Sequence, residues 1–372
     1  MRLLSFDGGP SAALQIRILE SVEQYAAARG QDMLGRTDVF AGSSDGAFMA
    51  SFLALRLWQG QPAGPALVRE AVQFSNELLD VFQVSLWDML CFATGLRPLL
   101  PDSGVRDVLT KHLGTATLGD LAGPGPTGAP PRHLLLMSFD IKTWLPKQFK
   151  NFGALSGQDL TTPLVEAVMA SSAFPMLLPI RTHGHGQFVD GAVVANNPTM
   201  SAIAGLVRWM QSQRGGPARD MLADITTLSL GAHEDAERRH REERGLLGWL
   251  RDLIAKLFTI PKPPRGEWGS MPWGWLQWFL LRPLYLLDLF FQASVEEVSI
   301  QAASLLDHQY FRCSPALDEM TEIFGVLLGD PGKLESWLDD QAAEFVARSP
   351  QYQQLLLWLG REWFAADAKT SA

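Results

Sequence analysis

The sequence predicts an α/β fold in which a mostly parallel central sheet is flanked by helices. Three observations lead there. Leu3–Phe6, Arg132–Phe139 and Ile225–Gly231 are strand-length, largely apolar runs, as expected of strands covered on both faces. Asp38–Phe48 reads as a short buried strand, a tight turn and the start of a helix, and the turn spells G-x-S-x-G around Ser44. The chain has 372 residues, 47% hydrophobic and 19% charged, enough to bury a large core.

Charge and cysteine usage narrow the function. A net charge of -9 argues against a nucleic-acid partner and against a polybasic lipid anchor, both of which need a concentrated cationic surface. Neutral, zwitterionic or buried substrates fit better. Cys91 and Cys313 have no C-x-x-C spacing and no paired histidines, so neither a disulfide framework nor a zinc site is expected. The first strand starts at Arg2, which leaves no room for a signal peptide. The expected location is cytoplasmic, or peripheral on a membrane.

Taken in order, Leu3–Phe6 is a strand, and Asp7-Gly8-Gly9-Pro10-Ser11 turns into a helix from about Ala12 to Arg29 capped by Gly30. A glycine pair at a strand end before a helix offers bare N–H groups to an anion, either as an oxyanion hole or as a plain turn. The helix after Ser44, from Gly46 to about Trp58, is apolar on most sides and should be buried. Its N-terminus directs partial positive charge at the serine.

Residues 60–120 read as helical and irregular by turns, and the Pro/Gly-rich 122–131 as a surface loop. Lys147–Phe152 is a candidate neighbour strand. Thr162 is placed as the cap of a helix with Pro163 at its first position. Gln187–Asp190 ends a strand on a carboxylate, Gly191 permits the turn, and Ala195-Asn196-Asn197-Pro198 opens another helix. Ligands bind at strand ends in an open α/β sheet, which could bring Asp190 beside Ser44. A local turn bond is the competing role for Asp190.

His233–Arg244 is a mixed-sign run read as a solvated helix face, and Gly245–Phe258 is amphipathic. Pro272–Phe291 is dense in tryptophan and phenylalanine. Arg282, Pro283 and Asp288 interrupt it, so no transmembrane helix is expected. The segment 245–292 is read as a cap over the site or an interfacial surface. The tail beyond Asp367 is expected to fray.

A serine hydroxyl needs a base within hydrogen-bond reach to act as a nucleophile near neutral pH. Two arrangements compete: Asp190 as sole base, or a triad in the order Ser44, Asp190, His233. His183 and His185 are too few to close a metal site.

Asp7-Gly8-Gly9, Gly42-Ser43-Ser44-Asp45-Gly46 and Asp190-Gly191-Ala192 occur in the order and approximate spacing of the patatin-like phospholipases, which the chain resembles. Ala170–Pro175, Leu228–Gly231 and the stretch from Trp275 to Arg312 also look like blocks of that family, so the resemblance covers about residues 1–330. It implies a patatin-like three-layer fold over 1–330, with 331–372 as a C-terminal helical extension packed on the same domain. It also implies a serine–aspartate dyad that cleaves lipid acyl esters without calcium or any cofactor. Ser44 would be the nucleophile, Asp190 the base, and Gly8, Gly9 and Ser11 the oxyanion hole.

The oxyanion motif departs from the family's Asp-Gly-Gly-Gly-x-Arg/Lys-Gly, because Pro10 lacks an N–H and no cation follows it. The implied activity is that of a phospholipase A or lysophospholipase, with a lipid ester as substrate and contact with a membrane or micelle surface. A weakly catalytic lipid-binding or regulatory protein on the same scaffold is one alternative. A Ser-His esterase or thioesterase acting on soluble acyl substrates is the other.

Overall fold

The computed structural model describes residues 1–9, 11–153, 157–234, 283–317 and 331–365. Strand β1 (Arg2–Phe6) leads through helix α1 (Ala12–Ala27) to β2 (Val39–Ser43) and α2 (Asp45–Trp58). The stretch expected to alternate between helix and irregular chain resolves into α3 (Pro65–Val81), α4 (Leu86–Ala93), α5 (Ser103–Leu113) and α6 (Leu118–Ala122). After a hairpin of β3 (His133–Asp140) and β4 (Leu145–Lys150) come α7 (Gly157–Leu160) and α8 (Leu164–Ser171). A second hairpin, β5 (Arg181–His183) and β6 (Gly186–Asp190), is followed by α9 (Ala192–Ala195), α10 (Thr199–Arg214) and α11 (Ala218–Leu222). Beyond these lie β7 (Thr226–Leu230), β8 (His233–Glu234), α12 (Pro283–Leu306), β9 (Tyr310–Cys313), β10 (Ala316–Leu317), α13 (Pro331–Arg348) and α14 (Pro350–Trp358).

The main sheet runs β5-β6-β3-β2-β1-β7-β9, with β4 also paired to β3. From β3 to β9 it is parallel, while β4 joins the other edge of β3 antiparallel and β6, followed by β5, joins β3 antiparallel beyond the end of β2. Alternate strand residues feed two separate cores, which is why the strand sequences are apolar without a polar face. Leu4, Phe6, Phe40, Leu134 and Leu136 pack with the α1, α2, α3 and α5 side. Leu3, Val39, Ala41, Leu135 and Met137 pack on the other face against Ala202, Ile203, Leu206 and Met210 of α10 and against Ala302 and Leu306 of α12. The result is a sheet between two helical layers.

The C-terminal helices enter the larger of these cores through Leu334, Leu338, Tyr352, Leu355 and Trp358. Just beyond α14, Trp363 is fully buried and its indole N–H donates to the Met33 carbonyl at 3.3 Å. Arg17 of α1 binds Asp339 of α13 at 2.6 Å.

Several local expectations are corrected. Helix α8 begins at Leu164 with Pro163 as its N-cap, held extended at φ -60 and ψ 141, so Thr162 does not cap it. His183, Gly184 and His185 belong to the β5–β6 hairpin, with Gly184 at φ 56 supplying the turn. Among the described residues no group of three potential ligands gathers for a metal. The backbone of His233 is on β8, paired in parallel with β10, where a helix was expected. Pro10, the rest of the charged run, the Trp-rich segment as far as 282 and the tail beyond 365, where fraying was expected, lie outside the described residues. Among the described residues no helix is long and apolar enough to cross a membrane.

Candidate active site

The elbow between β2 and α2 is where the chain carries local strain. Ser44 sits at φ 50 and ψ -125, a conformation that costs a non-glycine residue about 1–3 kcal/mol. The surrounding backbone enforces it by close packing. A Cβ on Gly42 would lie 2.5 Å from the Gly46 carbonyl oxygen, and one on Gly46 would lie 2.4 Å from that of Phe6. Only glycine at both positions lets β1, β2 and α2 converge so closely.

At that corner the Ser44 hydroxyl donates to Asp190 Oδ2 at 2.6 Å, and its backbone N–H donates to Ser171 Oγ at 3.2 Å. The second carboxylate oxygen of Asp190 accepts the Ala192 N–H at 2.7 Å, which fixes the plane of the group. Asp190 is fully buried. Burial pushes its carboxyl up to about 7, although the bonds from Ser44 and Ala192 pull the other way and the nearby Asp45 charge adds to the rise. Asp45, in the first turn of α2, is itself pushed up to about 6 by burial.

The sheet explains why these two residues meet. Strand β3 pairs β2 through Met137 opposite Ser43, and pairs β6 from Ser138 opposite Asp190 onward. Because β4 overlaps both pairings, it must occupy the opposite edge of β3. Hence β2 and β6 run along the same edge from opposite directions, and their C-terminal ends abut between consecutive rungs. Ser44 and Asp190 are brought together at that junction, and Ser138 Oγ braces it by sharing its one proton between the Ala170 and Val189 carbonyls, each at 2.9 Å.

The glycine turn after β1 flanks the other side. A Cβ on Gly8 would lie 2.9 Å from Ser44 Cβ, so this turn borders Ser44 directly. The Gly8 N–H donates to the Asn196 carbonyl at 2.9 Å, and so Gly8 is removed from the expected oxyanion donors. Among the described residues the N–H groups of Gly9 and Ser11 have no acceptor. Gly9 takes φ 87, and the turn is braced by Gln15 Nε2 donating to Ser11 Oγ at 2.9 Å.

Ser44, Asp190 and the glycine turn therefore converge as the sequence suggested. The His233 side chain lies outside the described residues, and among those described no histidine hydrogen-bonds to Ser44 or Asp190. Sequence reasoning missed the parts played by Ser171, Ser138 and Asn196. Asn196 follows the Asp190 turn closely enough to have been suspected, but Ser138 looks like any other strand residue.

These features define an α/β protein whose serine, on a strained strand-to-helix elbow, is hydrogen-bonded to a buried carboxylate. The model of the patatin-like phospholipase family matches residues 4–203, more than half of the chain, and the protein belongs to that family of lipid acyl hydrolases. CotR of Bacillus subtilis (strain 168) is 27% identical over 330 residues, 86% of this chain and 89% of that one. Patatin-like protein 1 of Arabidopsis thaliana is 24% identical over 276 residues, 67% of this chain and 64% of that one. Patatin-like protein 9 of the same plant, named as a probable inactive member, is 27% identical over 247 residues, 62% of this chain and 60% of its own length.

Proposed function

We propose that the protein hydrolyses carboxylic esters of phospholipids or lysophospholipids through an acyl-enzyme on Ser44, with Asp190 as the base and without calcium. The observation that carries this reading is the 2.6 Å bond from the Ser44 hydroxyl to a fully buried carboxylate. An ordinary carboxylate is a weak base, and a value near 7 matches Asp190 to proton transfer close to neutral pH.

In this mechanism Ser44 Oγ attacks the acyl carbonyl as its proton passes to Asp190. The tetrahedral oxyanion is held by the N–H groups of Gly9, Ser11 and Asp45. Collapse expels the alcohol, which takes the proton from Asp190. Water then gives a proton to Asp190 and attacks the acyl-enzyme, and the second collapse returns that proton to Ser44 Oγ and releases the fatty acid. No step requires a metal to create the nucleophile.

Contact with a membrane or micelle surface is part of the same proposal. Trp87 and Leu90 on α4, and Leu96 just beyond it, are exposed. The chain after them bonds to the Met176 and Leu177 carbonyls, a few residues past Ser171. Apolar side chains so placed suit an interface from which a lipid enters.

One observation favours a second reading, a lipid-binding protein with weak turnover: the Gly8 N–H is already occupied by Asn196. The test is fatty-acid release from mixed phospholipid vesicles in EDTA by wild type, Ser44→Ala and Asp190→Asn. Loss of release in both variants is expected. Full release by Ser44→Ala would sink the acyl-enzyme mechanism, and vesicle binding without release by the wild type would favour the second reading.

A further inference from the structure

Asp7 closes β1 and opens the glycine turn, yet residues 8–15 carry no cation to balance its charge. Arg2, five residues before it, donates Nε to the Trp363 carbonyl, and the next arginine after it, Arg17, is turned to Asp339, Asn76 and the Ala13 carbonyl. The counter-ion comes instead from β9. Arg312 Nη1 donates to Asp7 Oδ1 at 2.8 Å while Nη2 donates to Oδ2, a two-point fork between side chains only 14% and 3% exposed.

Arg312 is itself seated by the sheet. Ser5, Ser229 and Arg312 occupy facing positions on β1, β7 and β9, and Arg312 Nη1 also donates to Ser229 Oγ at 2.8 Å. Thr199 Oγ1 continues the network, hydrogen-bonded to Ser5 Oγ at 2.9 Å and to Ser229 Oγ at 3.1 Å. Gly231 leaves room for the pair, since a Cβ there would lie 2.1 Å from Arg312 Nη2 and 2.4 Å from Asp7 Oδ2.

Gly8, the residue after Asp7, is pinned on both sides. The Gly8 N–H is bonded to Asn196, and the Gly8 carbonyl accepts from Ser11 Oγ at 3.4 Å. The Gly9 N–H shares its peptide plane with that carbonyl, so its direction follows from where Asp7 and Gly8 are held. We propose that Arg312 is a positioning residue for the reaction: through its fork on Asp7 it holds the Gly8–Gly9 turn so that the Gly9 N–H meets the oxyanion formed at Ser44. This rests on the acyl-hydrolase reading above. Loss of the arginine would leave a buried carboxylate seeking water and would release the turn. A lysine would restore the charge but not the two-point geometry.

The experiment uses the purified full chain with a short-chain p-nitrophenyl ester, a monomeric substrate that separates chemistry from vesicle binding. An alkyl trifluoromethyl ketone serves as second probe, because the serine hemiketal it forms carries an oxyanion. Arg312→Lys and Arg312→Met are expected to lower kcat about 10- to 100-fold, in line with partial loss of an oxyanion donor, with KM within about threefold. Affinity for the ketone should fall in parallel.

Because Arg312→Met strands a buried charge, Asp7→Asn/Arg312→Met supplies a variant with no unpaired ion. It is expected to melt near the wild type while kcat stays low. Wild-type kcat in the double variant, or in either single variant, would overturn the proposal, as would a fall in kcat without a fall in ketone affinity. A wild type that neither cleaves the ester nor binds the ketone would overturn the acyl-hydrolase reading and this proposal with it. An active wild type with unaffected Arg312 variants would overturn the positioning role alone.

Discussion

The two sides of the site differ in the range over which their geometry is set. On the Ser44 side, two glycines two positions away force the elbow, and the Asp190 plane is set by an N–H two residues on. On the glycine-turn side, Gly8 depends on Asn196 and Asp7 depends on an arginine 305 residues further along the chain. Short-range steric fit thus makes the Ser44 corner a feature of a few neighbouring residues. The glycine-turn side is assembled only when strand β9 closes the sheet, so the two sides should respond differently to substitution.

The largest effect is expected at the dyad. Asp190→Asn should lower kcat by about 10²- to 10⁴-fold with little change in KM on a soluble ester, the usual contribution of a general base. The same variant tests burial. The folded value of about 7 lies above the unfolded value of 3.8, so the native state binds this proton more tightly than the unfolded chain does. The resulting cost is absent below pH 3.8, grows up to about 7 and is constant above that. Asp190→Asn should therefore raise the melting temperature at pH 8 and leave it nearly unchanged at pH 4. A variant that melted lower at pH 8 would show that the carboxylate is stabilising after all.

A pair of glycine substitutions then sets one side against the other. Gly46→Ala places a methyl group 2.4 Å from a backbone oxygen and should cost about 1–3 kcal/mol in urea unfolding. Gly9→Ala meets nothing within 4 Å and adds only the strain of φ 87, about 1 kcal/mol. Equal losses would remove the contrast between a packed elbow and an open turn.

The smallest effect concerns pH. Asp190 must be ionised to take the serine proton, so kcat/KM should rise tenfold per pH unit below about 7 and level off above it. Asp45 contributes to the elevation of Asp190 by charge. Asp45→Asn should move the midpoint of that profile down by less than about one unit, measured from pH 5 to 9. An upward shift would mean that Asp45 acts by other means than its charge.

Much of this was legible from residue order. Largely apolar runs announced β1, β3 and β7, because a sheet covered on both faces needs no regular polar alternation. The spacing of Gly42, Ser44 and Gly46 announced the elbow, because backbone packing within five residues tolerates little else. The helix before the β5–β6 hairpin was misplaced by a residue when Thr162, a good capping side chain, was preferred to Pro163, whose fixed φ suits the extended cap. His233, expected on a helix, went to a strand because β10 offered a parallel partner, and that pairing is not written near His233.

What the sequence by itself determined is therefore the inventory: parallel strands, a strained serine, a carboxylate at a strand end and a glycine turn lacking its cation. Only the tertiary structure decided their register. It set β2 and β6 end to end on one edge of β3, removed the Gly8 N–H from the free donors and assigned Arg312 to Asp7. The physical reason is that steric and capping rules act over a few residues, whereas strand pairing and buried charge neutralisation join groups whose distance along the chain carries no information about their distance in space.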